Sequence, residues 1–347
     1  MKKSLIFVVV CASVLMSITA KVDAAAFTLT DLGSLGGSSY AYGINNNGQV
    51  VGTSPILGHD HAFLWTAGTG MNDLGLDSST AYAINDSGTI VGSTGAQAFY
   101  GSDGSYSITN PMSELSQTAY DINNQGTALV SGAFGLQKQS FLWNGTDSFT
   151  AITATAHGIN NNNAAVGQVS SSPTFPTNNS AFVYDEGITN IIIPNGRAFD
   201  ISDTGYVVGL YWPSNVGATS TPFIWKDGVG FTAIDNLFGI GSRAYAVNND
   251  GTVVGSANVP TGGSHAFLYQ DGSLKDLNSM IDPSSGWILA DARDINELGQ
   301  IVGWGTINGD TRAYLLTPTA IPIPAAAWLF GSGLLGLVGA ARKKKRA

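Results

Sequence analysis

The stretch Ala41-Tyr-Gly-Ile-Asn-Asn-Asn-Gly-Gln-Val-Val-Gly52 decides the fold, because recognisable copies of it recur seven times between residues 41 and 303. Successive copies start 37 to 48 residues apart. Repeats of this length, rich in short alternating segments and glycine-containing turns, are typical of propeller blades or other stacked β units. The seven copies begin at Ala41, Ala81, Ala119, Ala156, Ala198, Ala244 and Ala292.

Each copy predicts a β-hairpin. Its first half, Ala-x-small-Ile, reads as one strand, and Gln49-Val-Val-Gly52 reads as the next, with Asn-x-x-Gly as the connection. Asn at the first turn position bonds the backbone two residues on, and Gly at the last accepts a positive φ without a Cβ clash. The fourth copy has Asn163 in place of this glycine, which is the next-best residue for a left-handed conformation.

A third and a fourth strand are predicted after each hairpin. The third contains an aromatic residue, which we expect to pack between neighbouring blades. These aromatic residues are Phe63, Phe99, Phe141, Phe182, Phe223, Phe267 and Tyr314. The fourth strands are predicted at residues 71–75, 105–108, 149–152, 188–191, 231–234 and 274–277.

The seventh copy has no fourth strand of its own, whereas Phe27–Gly33, ahead of the first copy, has the pattern of one. The sequence therefore predicts an all-β fold, a seven-bladed β-propeller over residues 27–316 that is closed by the N-terminal strand. Such a ring leaves no open sheet edge. An open β-solenoid is the alternative, and it would leave Phe27–Gly33 unexplained.

Charge and cysteine content limit the classes of binding partner and the cellular compartment that we expect. Residues 27–341 hold seven basic and 23 acidic residues, a net charge of −16. Nucleic acid is therefore not an expected partner, because phosphate binding needs clusters of Lys and Arg. A cation-rich or neutral polysaccharide setting fits this charge better. The single cysteine, Cys11, lies in the apolar N-terminal run, so the mature domain would hold no disulfide.

Both ends of the chain carry membrane-related patterns. Residues 1–26 combine a basic start, the apolar run Leu5–Ile18 and small residues before Phe27, which predicts a secretory signal peptide, with an uncleaved anchor as the alternative. Within residues 317–347, Ala325–Ala341 is a run of 17 uncharged residues, which predicts a C-terminal transmembrane helix; a buried core helix is the alternative. The basic cluster Arg342–Arg346 would hold the C-terminus in the cytoplasm.

The tail resembles a known class of sorting signals. Ile321-Pro-Ile-Pro-Ala325, Trp328-Leu-Phe-Gly-Ser-Gly333 and the basic end are similar to the PEP-CTERM class, in its variant with Val-Pro-Leu-Pro-Ala. Here Ile replaces both Val and Leu, and no Glu lies between the prolines. The resemblance implies recognition by an exosortase-type membrane enzyme of exopolysaccharide-producing Gram-negative bacteria. The motif positions it assigns are Pro322, Pro324, Ala325 and Arg342.

The repeats resemble the HAF repeat of exported bacterial proteins, through His61-Ala-Phe63 and His265-Ala-Phe267. That resemblance covers roughly residues 27–316. It implies export and a propeller-like fold, and it assigns no activity. Together the two resemblances imply a protein that is tethered to the inner membrane and then passed to the cell envelope, the outer surface or the extracellular matrix.

One slot of the repeat suggests a candidate site. The residue before the shared Ile or Val is small or acidic in every copy, and on an innermost strand it would face the channel. A size limit, with Asp tolerated beside water, is one interpretation, and a cation or sugar site built from Asp121, Asp200 and Asp294 is the other. Three like charges near one axis repel, so at least one of these carboxyls should have a raised pKa. The seven slot residues are Gly43, Ala83, Asp121, Gly158, Asp200, Ala246 and Asp294.

No motif of nucleophilic catalysis, phosphate binding or cysteine chemistry is found, so no enzymatic activity, cofactor or metal site is predicted. His61 and His265 occupy one slot of two copies and are expected at a turn or strand edge, because metal ligands converge locally. The Asn/Asp turns offer too few carboxylates for calcium.

The sequence thus predicts an exported, surface- or matrix-associated structural or binding propeller. A carbohydrate- or small-ligand-active propeller enzyme is the alternative, and a metal-dependent adhesion module is a third hypothesis. Convergence of carboxylates at one mouth of the channel would favour either of the latter two.

Overall fold

The repeats fold into seven four-stranded antiparallel sheets, one per repeat. In each sheet the hairpin of the repeat supplies the two inner strands. The residues described by the computed structural model are 26–102, 104–109, 116–134, 137–144, 149–170, 179–213, 219–239 and 241–319. Within them the predicted all-β, seven-bladed propeller is confirmed.

The blades are numbered in chain order, and their strands run from the channel outward. The innermost strands are β2 (Tyr40–Ile44), β6 (Ser79–Ile84), β10 (Gln117–Ile122), β14 (Thr155–Ile159), β18 (Gly196–Ile201), β22 (Ser242–Val247) and β26 (Trp287–Ile295). The second strands are β3 (Val50–Ile56), β7 (Ile90–Thr94), β11 (Ala128–Phe134), β15 (Ala165–Ser170), β19 (Tyr206–Tyr211), β23 (Val253–Asn258) and β27 (Ile301–Ile307). The third strands are β4 (His59–Thr66), β8 (Gln97–Ser102), β12 (Gln137–Trp143), β16 (Asn179–Asp185), β20 (Thr221–Lys226), β24 (Ser264–Gln270) and β28 (Asp310–Pro318). The outer strands are β5 (Gly70–Asp77), β9 (Ser105–Thr109), β13 (Phe149–Ile152), β17 (Ile188–Ile193), β21 (Gly230–Ala233), β25 (Ser273–Asp276) and, in blade 7, β1 (Phe27–Asp31).

The N-terminal strand closes the ring as predicted. β1 pairs antiparallel with β28, from Phe27 opposite Pro318 to Asp31 opposite Tyr314. Beyond the strands, the N–H of Thr319 donates to the carbonyl of Ala26 at 3.0 Å. The first and last described residues of the ring therefore lie side by side at the outer edge of blade 7.

The inner turns adopt the predicted geometry. Asn163, the one residue that replaces glycine at the last turn position, has a φ of 63°, close to the 72° of Gly48 in the first copy. The side-chain oxygen of Asn45 accepts the N–H groups of Asn47 and Gln49 at 3.1 and 3.0 Å. The side chain at the head of the turn therefore satisfies backbone donors that the turn leaves unpaired.

The core lies between blades, as expected for the aromatic residues of the third strands. Phe63 lies opposite Gly52 in the ladder, and a Cβ at Gly52 would stand 2.8 Å from the Phe63 ring. Glycine thus makes room for the ring, which is fully buried and packs with Val302 and Leu315 of the preceding blade. Burying such a ring contributes roughly 1.5–3 kcal/mol, and five other copies bury their aromatic side chain as completely.

Blade 3 departs from this pattern. Val130 stands where most copies have glycine, directly opposite Phe141. Phe141 keeps 8% of its surface exposed and is absent from the buried cluster shared with blade 2, which Trp143 joins. The valine side chain explains the change, because it occupies the space that the aromatic ring takes elsewhere.

Only short helical segments occur among the described residues. Two 3₁₀ turns, Leu277–Met280 and Pro283–Ser285, lead from blade 6 into blade 7. In the described part of the chain, no helix has the length and apolarity to cross a membrane. The predicted signal peptide, the transmembrane helix and the sorting positions Pro322, Pro324, Ala325 and Arg342 lie outside the described residues.

Candidate functional site

Every innermost strand has a β-bulge at the same place. In blade 1 the register shifts between Ala41 and Gly43, so that Tyr42 is the extra residue. The same shift occurs at the corresponding residues of the six other blades. A bulge redirects side chains and frees backbone groups from the ladder. The bulge therefore produces two sets of side chains along the channel. One set lies at the bulge itself, and the other consists of the small or acidic residues that follow it.

The three predicted aspartates meet in one cavity of about 160 Å³ at the channel mouth formed by the inner turns. They occupy equivalent positions in blades 3, 5 and 7. Each carboxylate accepts the N–H of the next residue on its own strand and the N–H at the same position of the following blade, at 2.7–2.8 Å. The bonds are Ile122 and Ile159 to Asp121, Ile201 and Val247 to Asp200, and Ile295 and Ile44 to Asp294.

Three two-oxygen acceptors thus serve six of the seven inner-strand N–H groups. Seven is odd, so one blade is left over, and among the described hydrogen bonds it is blade 2. Gly43 and Ala83, the slot residues that could serve Ile84, have no carboxylate. The alternation of acidic and small slot residues is therefore a hydrogen-bonding pattern between blades, which the sequence alone did not reveal.

Size limits the slot at its two glycines. A Cβ on Gly43 would lie 2.8 Å from the carbonyl oxygen of Tyr82, and one on Gly158 would lie 2.8 Å from that of Phe199. Both contacts are with the backbone of the following blade, which cannot move aside locally. The close approach of the following blade therefore leaves no space for a side chain at Gly43 or Gly158.

Burial is the main cause of the perturbed carboxyl pKa values. It raises the pKa of Asp121 to about 7 and that of Asp294 to about 6, although backbone N–H donors oppose it. It also raises the pKa of Asp200 well above its ordinary value, with the charge of Asp121 as the next cause. Repulsion within the triplet, the cause named from the sequence, therefore contributes less than the loss of water around each group.

A second ring of hydrogen bonds surrounds the same mouth, at the second residue of each inner turn. The N–H of Asn46 donates to Asp86, the next member of this ring, and the N–H of Glu297 donates back to Asn46, so the ring closes across the junction of blades 7 and 1. Burial raises the pKa of Glu297, followed by the charges of Asp203, Asp250 and Asp86. The members are Asn46, Asp86, Asn124, Asn161, Asp203, Asn249 and Glu297, and the bond to Asn249 comes from the N–H of Thr204, which follows Asp203.

The first turn residues also connect blades. The carboxamide of Asn45 donates to the carbonyl of Asn85 at 2.9 Å, and that of Asn296 donates to the carbonyl of Asn45 at 3.0 Å. The sequence predicted these asparagines only as local turn residues. The signal that was missed is their recurrence in six of seven copies, because a purely local turn tolerates Asp or Ser equally well.

The histidines of the His-Ala-Phe triplets bind the outer strand of their own blade. His265 Nδ1 lies 2.8 Å from Asp276 Oδ2, and His61 Nδ1 lies 3.2 Å from Asp73 Oδ1. They lie on third strands, away from the channel. Across the part of the chain that the structure describes, no group of three His, Cys, Asp or Glu side chains has metal-binding geometry.

Directly before each slot residue, the innermost strand carries a residue that the sequence interpretation did not use. The bulge position is aromatic in six blades and Arg293 in the seventh. Tyr42 lies 5.4 Å from Tyr82 by ring centroids, and the contacts continue from blade to blade. The Ala-Tyr pairs at 41, 81, 119 and 244 are the sequence signal that would have indicated this ring. We call it the aromatic collar: Tyr42, Tyr82, Tyr120, His157, Phe199, Tyr245 and Arg293.

Fold and channel together define a seven-bladed β-propeller with a polar, hydrogen-bonded inner wall. A family described as "Protein of unknown function (DUF3466)" matches residues 144–316 of the chain. The match spans blades 4 to 7 and leaves blades 1 and 2 outside. No curated protein matches the chain.

A solved structure with a TM-score above 0.5 supports the fold. A puromycin-hydrolyzing peptidase from Mycobacterium tuberculosis superposes with a TM-score of 0.53 at 12% identity, covering 86% of this chain and 52% of that chain. This chain therefore spans about half of the peptidase. A gluconolactonase from Xanthomonas campestris gives a TM-score of 0.42 at 14% identity, with 84% of this chain and 90% of that chain covered. TolB from Acinetobacter baumannii gives 0.47 at 11%, with 81% and 67% covered.

Proposed function

We propose that the chain is an exported structural or binding propeller, sorted through its C-terminal segment to the cell surface or the extracellular matrix. One observation carries the proposal. Asp121, Asp200 and Asp294, the acidic residues of the channel, each accept two backbone N–H groups and join neighbouring blades. Because these polar groups connect the blades, they support a scaffold function, in which the rims of the ring are available to partners such as extracellular polysaccharide.

The position of the two ends supports the sorting part of the proposal. Ala26 and Thr319 are hydrogen-bonded at the outer edge of blade 7. A transmembrane helix starting at Ala325 would hold this edge near the bilayer, because six residues reach roughly 20 Å at most. An exosortase-type enzyme cutting near Ile321–Ala325 would then release the ring without disturbing β1 or β28.

Cell fractionation of three forms tests this proposal. We expect wild-type protein to reach the surface or matrix without Arg342–Arg346, as judged by mass spectrometry of its C-terminus. Replacing Pro322 and Pro324 with Ala should leave full-length protein in the inner membrane, since the extended segment favoured by the prolines is lost. Deleting residues 321–347 should send it to the periplasm. Wild-type protein that keeps its basic end throughout would replace sorting with plain anchoring, and protein that keeps Met1 in the cytoplasm would refute export.

A small-ligand-active or sugar-active enzyme is the second candidate, favoured by one observation. The channel carboxyls converge in one cavity with pKa values raised toward neutrality, which is common for general acids and bases. Screening chromogenic glycosides and sugar lactones tests it. Turnover that disappears in Asp121→Asn, but persists in the exposed control Asp185→Asn, would support an enzyme. Lack of turnover by the wild-type protein would refute it for these substrates.

A further inference from the structure

The aromatic collar is a closed ring of side chains on the innermost strands. Tyr120 lies 5.6 Å from Tyr82 and 5.8 Å from His157, and similar steps continue to Tyr245. Arg293 completes the circle in blade 7. The aromatic rings are therefore arranged around the channel, each in contact with the collar residue of the next blade.

Arg293 is fixed within this circle by stacking. Its guanidinium lies 3.9 Å from the ring centre of Tyr245 and 4.5 Å from that of Trp304, and Trp304 in turn contacts Tyr42 at 5.6 Å. Its Nε lies 3.0 Å from Asp291 Oδ1. An aromatic face of the collar thus already holds one planar cation, so this part of the wall adds a fixed positive charge beside the rings.

The collar is not sealed from solvent. Tyr120 has 37% of its surface exposed, and each of the other members keeps part of its surface accessible. Aromatic rings that stay partly exposed on a concave wall are typical of sites that bind another ring by stacking.

Positive charge is concentrated beside the collar. Of the seven basic residues between 27 and 341, three lie on the innermost strands of blades 5, 6 and 7: Arg197, Arg243 and Arg293. Burial lowers the pKa of Arg197, and the charge of Arg243 lowers it further. Burial raises the pKa of Asp291 to about 7, and the charges of Arg293 and then Arg243 oppose this rise. These four side chains therefore form one electrostatic cluster with an excess of positive charge, in a body whose net charge is −16.

The cluster has guanidinium groups that suit a carboxylate. Arg197 stacks on Trp212 at 5.3 Å, which limits its conformations, and Arg243 is exposed. A planar guanidinium binds a carboxylate through two parallel hydrogen bonds, and stacking on an aromatic ring holds it ready to do so. Nucleic acid is disfavoured, because its evenly spaced phosphates would lie along the acidic body, whereas a single terminal carboxylate needs only the Arg cluster.

We propose that this end of the channel binds a carboxylated sugar ring, a uronate unit, with the ring stacked on the aromatic collar and its carboxylate paired with Arg243 and Arg197. The assignment rests on the binding role proposed above and names its ligand class. Its source is either free uronate or the end of an acidic polysaccharide, since both present the same group.

Calorimetric titration of the full chain in detergent tests the proposal with defined probes: D-glucuronate, D-glucose, acetate and short oligouronates. We expect D-glucuronate to bind at least roughly ten-fold more tightly than D-glucose or acetate, because D-glucose lacks the carboxylate and acetate lacks the sugar ring. Tighter binding of oligouronates than of the monomer would identify a polysaccharide end as the source. Equal binding would identify a single uronate.

Two variants locate the site, each with a matched control. Arg243→Gln should weaken D-glucuronate binding roughly ten-fold, whereas Lys275→Gln, which removes a positive charge from the outer strand of the same blade, should leave it unchanged. Phe199→Leu, on the strand that also holds Arg197, should weaken D-glucuronate binding but not acetate binding. Equal losses in Arg243→Gln and Lys275→Gln, equal affinity for acetate and D-glucuronate, or no binding of any uronate probe at millimolar concentration would overturn the assignment. Surface localisation in the fractionation experiment is independent of these results, so export stands or fails separately.

Discussion

The inner wall of the ring and its outer closing strand hold the same circle together by different means. At the outer edge, β1 adds a whole strand to β28 over five residue pairs and buries Phe27. On the inner wall, single side chains such as Asp294 connect one blade to the next through one or two hydrogen bonds. The outer closure is one large contact made once, whereas the inner connections are small and repeated around the axis. Breaking them should therefore have effects of very different size.

The largest effect is expected from removing the closing strand. Deleting residues 27–35 exposes the edge of β28 and leaves blade 7 with three strands. We expect a fall in the melting temperature on the order of 10 °C or more, with a tendency to associate through the open edge. Circular dichroism melting and size-exclusion chromatography measure both consequences.

Point variants separate closure from chain length. Phe27→Ala removes the buried ring of β1 and should cost about 3–5 kcal/mol, whereas Thr28→Ala changes an exposed side chain and should stay within about 0.5 kcal/mol. If the deleted protein melts at the wild-type temperature and as cooperatively, then β1 does not close the ring.

An intermediate effect is expected at the inner wall. Asp121→Ala leaves the N–H groups of Ile122 and Ile159 without their acceptor, which should lower the free energy of unfolding by about 1–3 kcal/mol. Channel water offsets part of this loss. Asp185→Ala, on the exposed end of β16, is the control and should change little. Denaturant unfolding at one fixed pH measures both, and equal stabilities of the two variants would argue against a connecting role for Asp121.

This difference also explains how much the sequence could predict. The closing strand was predictable because the seventh copy lacks an outer strand and Phe27–Gly33 has the pattern of one, so counting was sufficient. The aspartates were visible as a slot, but their partners are backbone N–H groups of another blade. Backbone donors are the same in every sequence, so only the structure shows that Asp294 serves Ile44, 250 residues away. The incomplete burial of Phe141 was equally difficult to predict, because it depends on Val130, which lies opposite it in the ladder.

A smaller effect is expected from pH. The folded-state pKa values of Asp121 and Asp294 are raised to about 7 and about 6, and those of Asp200 and Asp291 are raised as well. Between about pH 4 and pH 7 the folded protein therefore binds protons that the unfolded chain has lost, so the free energy of unfolding should fall as pH rises through this window. Because the carboxyls of the slot border the channel and are partly solvated, each should change the free energy of unfolding by only about 1 kcal/mol across this window.

Substitution identifies the groups responsible for this slope. Asp121→Asn removes one titrating carboxyl and should flatten the dependence of the unfolding free energy on pH, whereas Asp185→Asn removes an exposed one and should leave it unchanged. A stability that rises between about pH 4 and pH 7 would show that hydrogen bonding to the ionised form outweighs burial at these sites.

The smallest effect tests the odd blade. Ala83→Asn places a carboxamide oxygen beside the N–H of Ile84, the inner-strand group that no aspartate serves, and its NH₂ group can donate to Asp121 in blade 3. We expect stabilisation of about 0.5–1 kcal/mol, because one unpaired donor gains an acceptor without a new buried charge. The same substitution at the same slot of blade 6 is the control. Val247 already donates to Asp200 there, at 2.8 Å, and Ala246 is buried, so Ala246→Asn should destabilise the ring through crowding. Denaturant unfolding measures the change in the free energy of unfolding in both variants. Changes of opposite sign would support the view that acidic and small residues are distributed along the wall so that two-oxygen acceptors can pair with seven N–H groups. Shifts of the same sign would mean that space alone governs the slot.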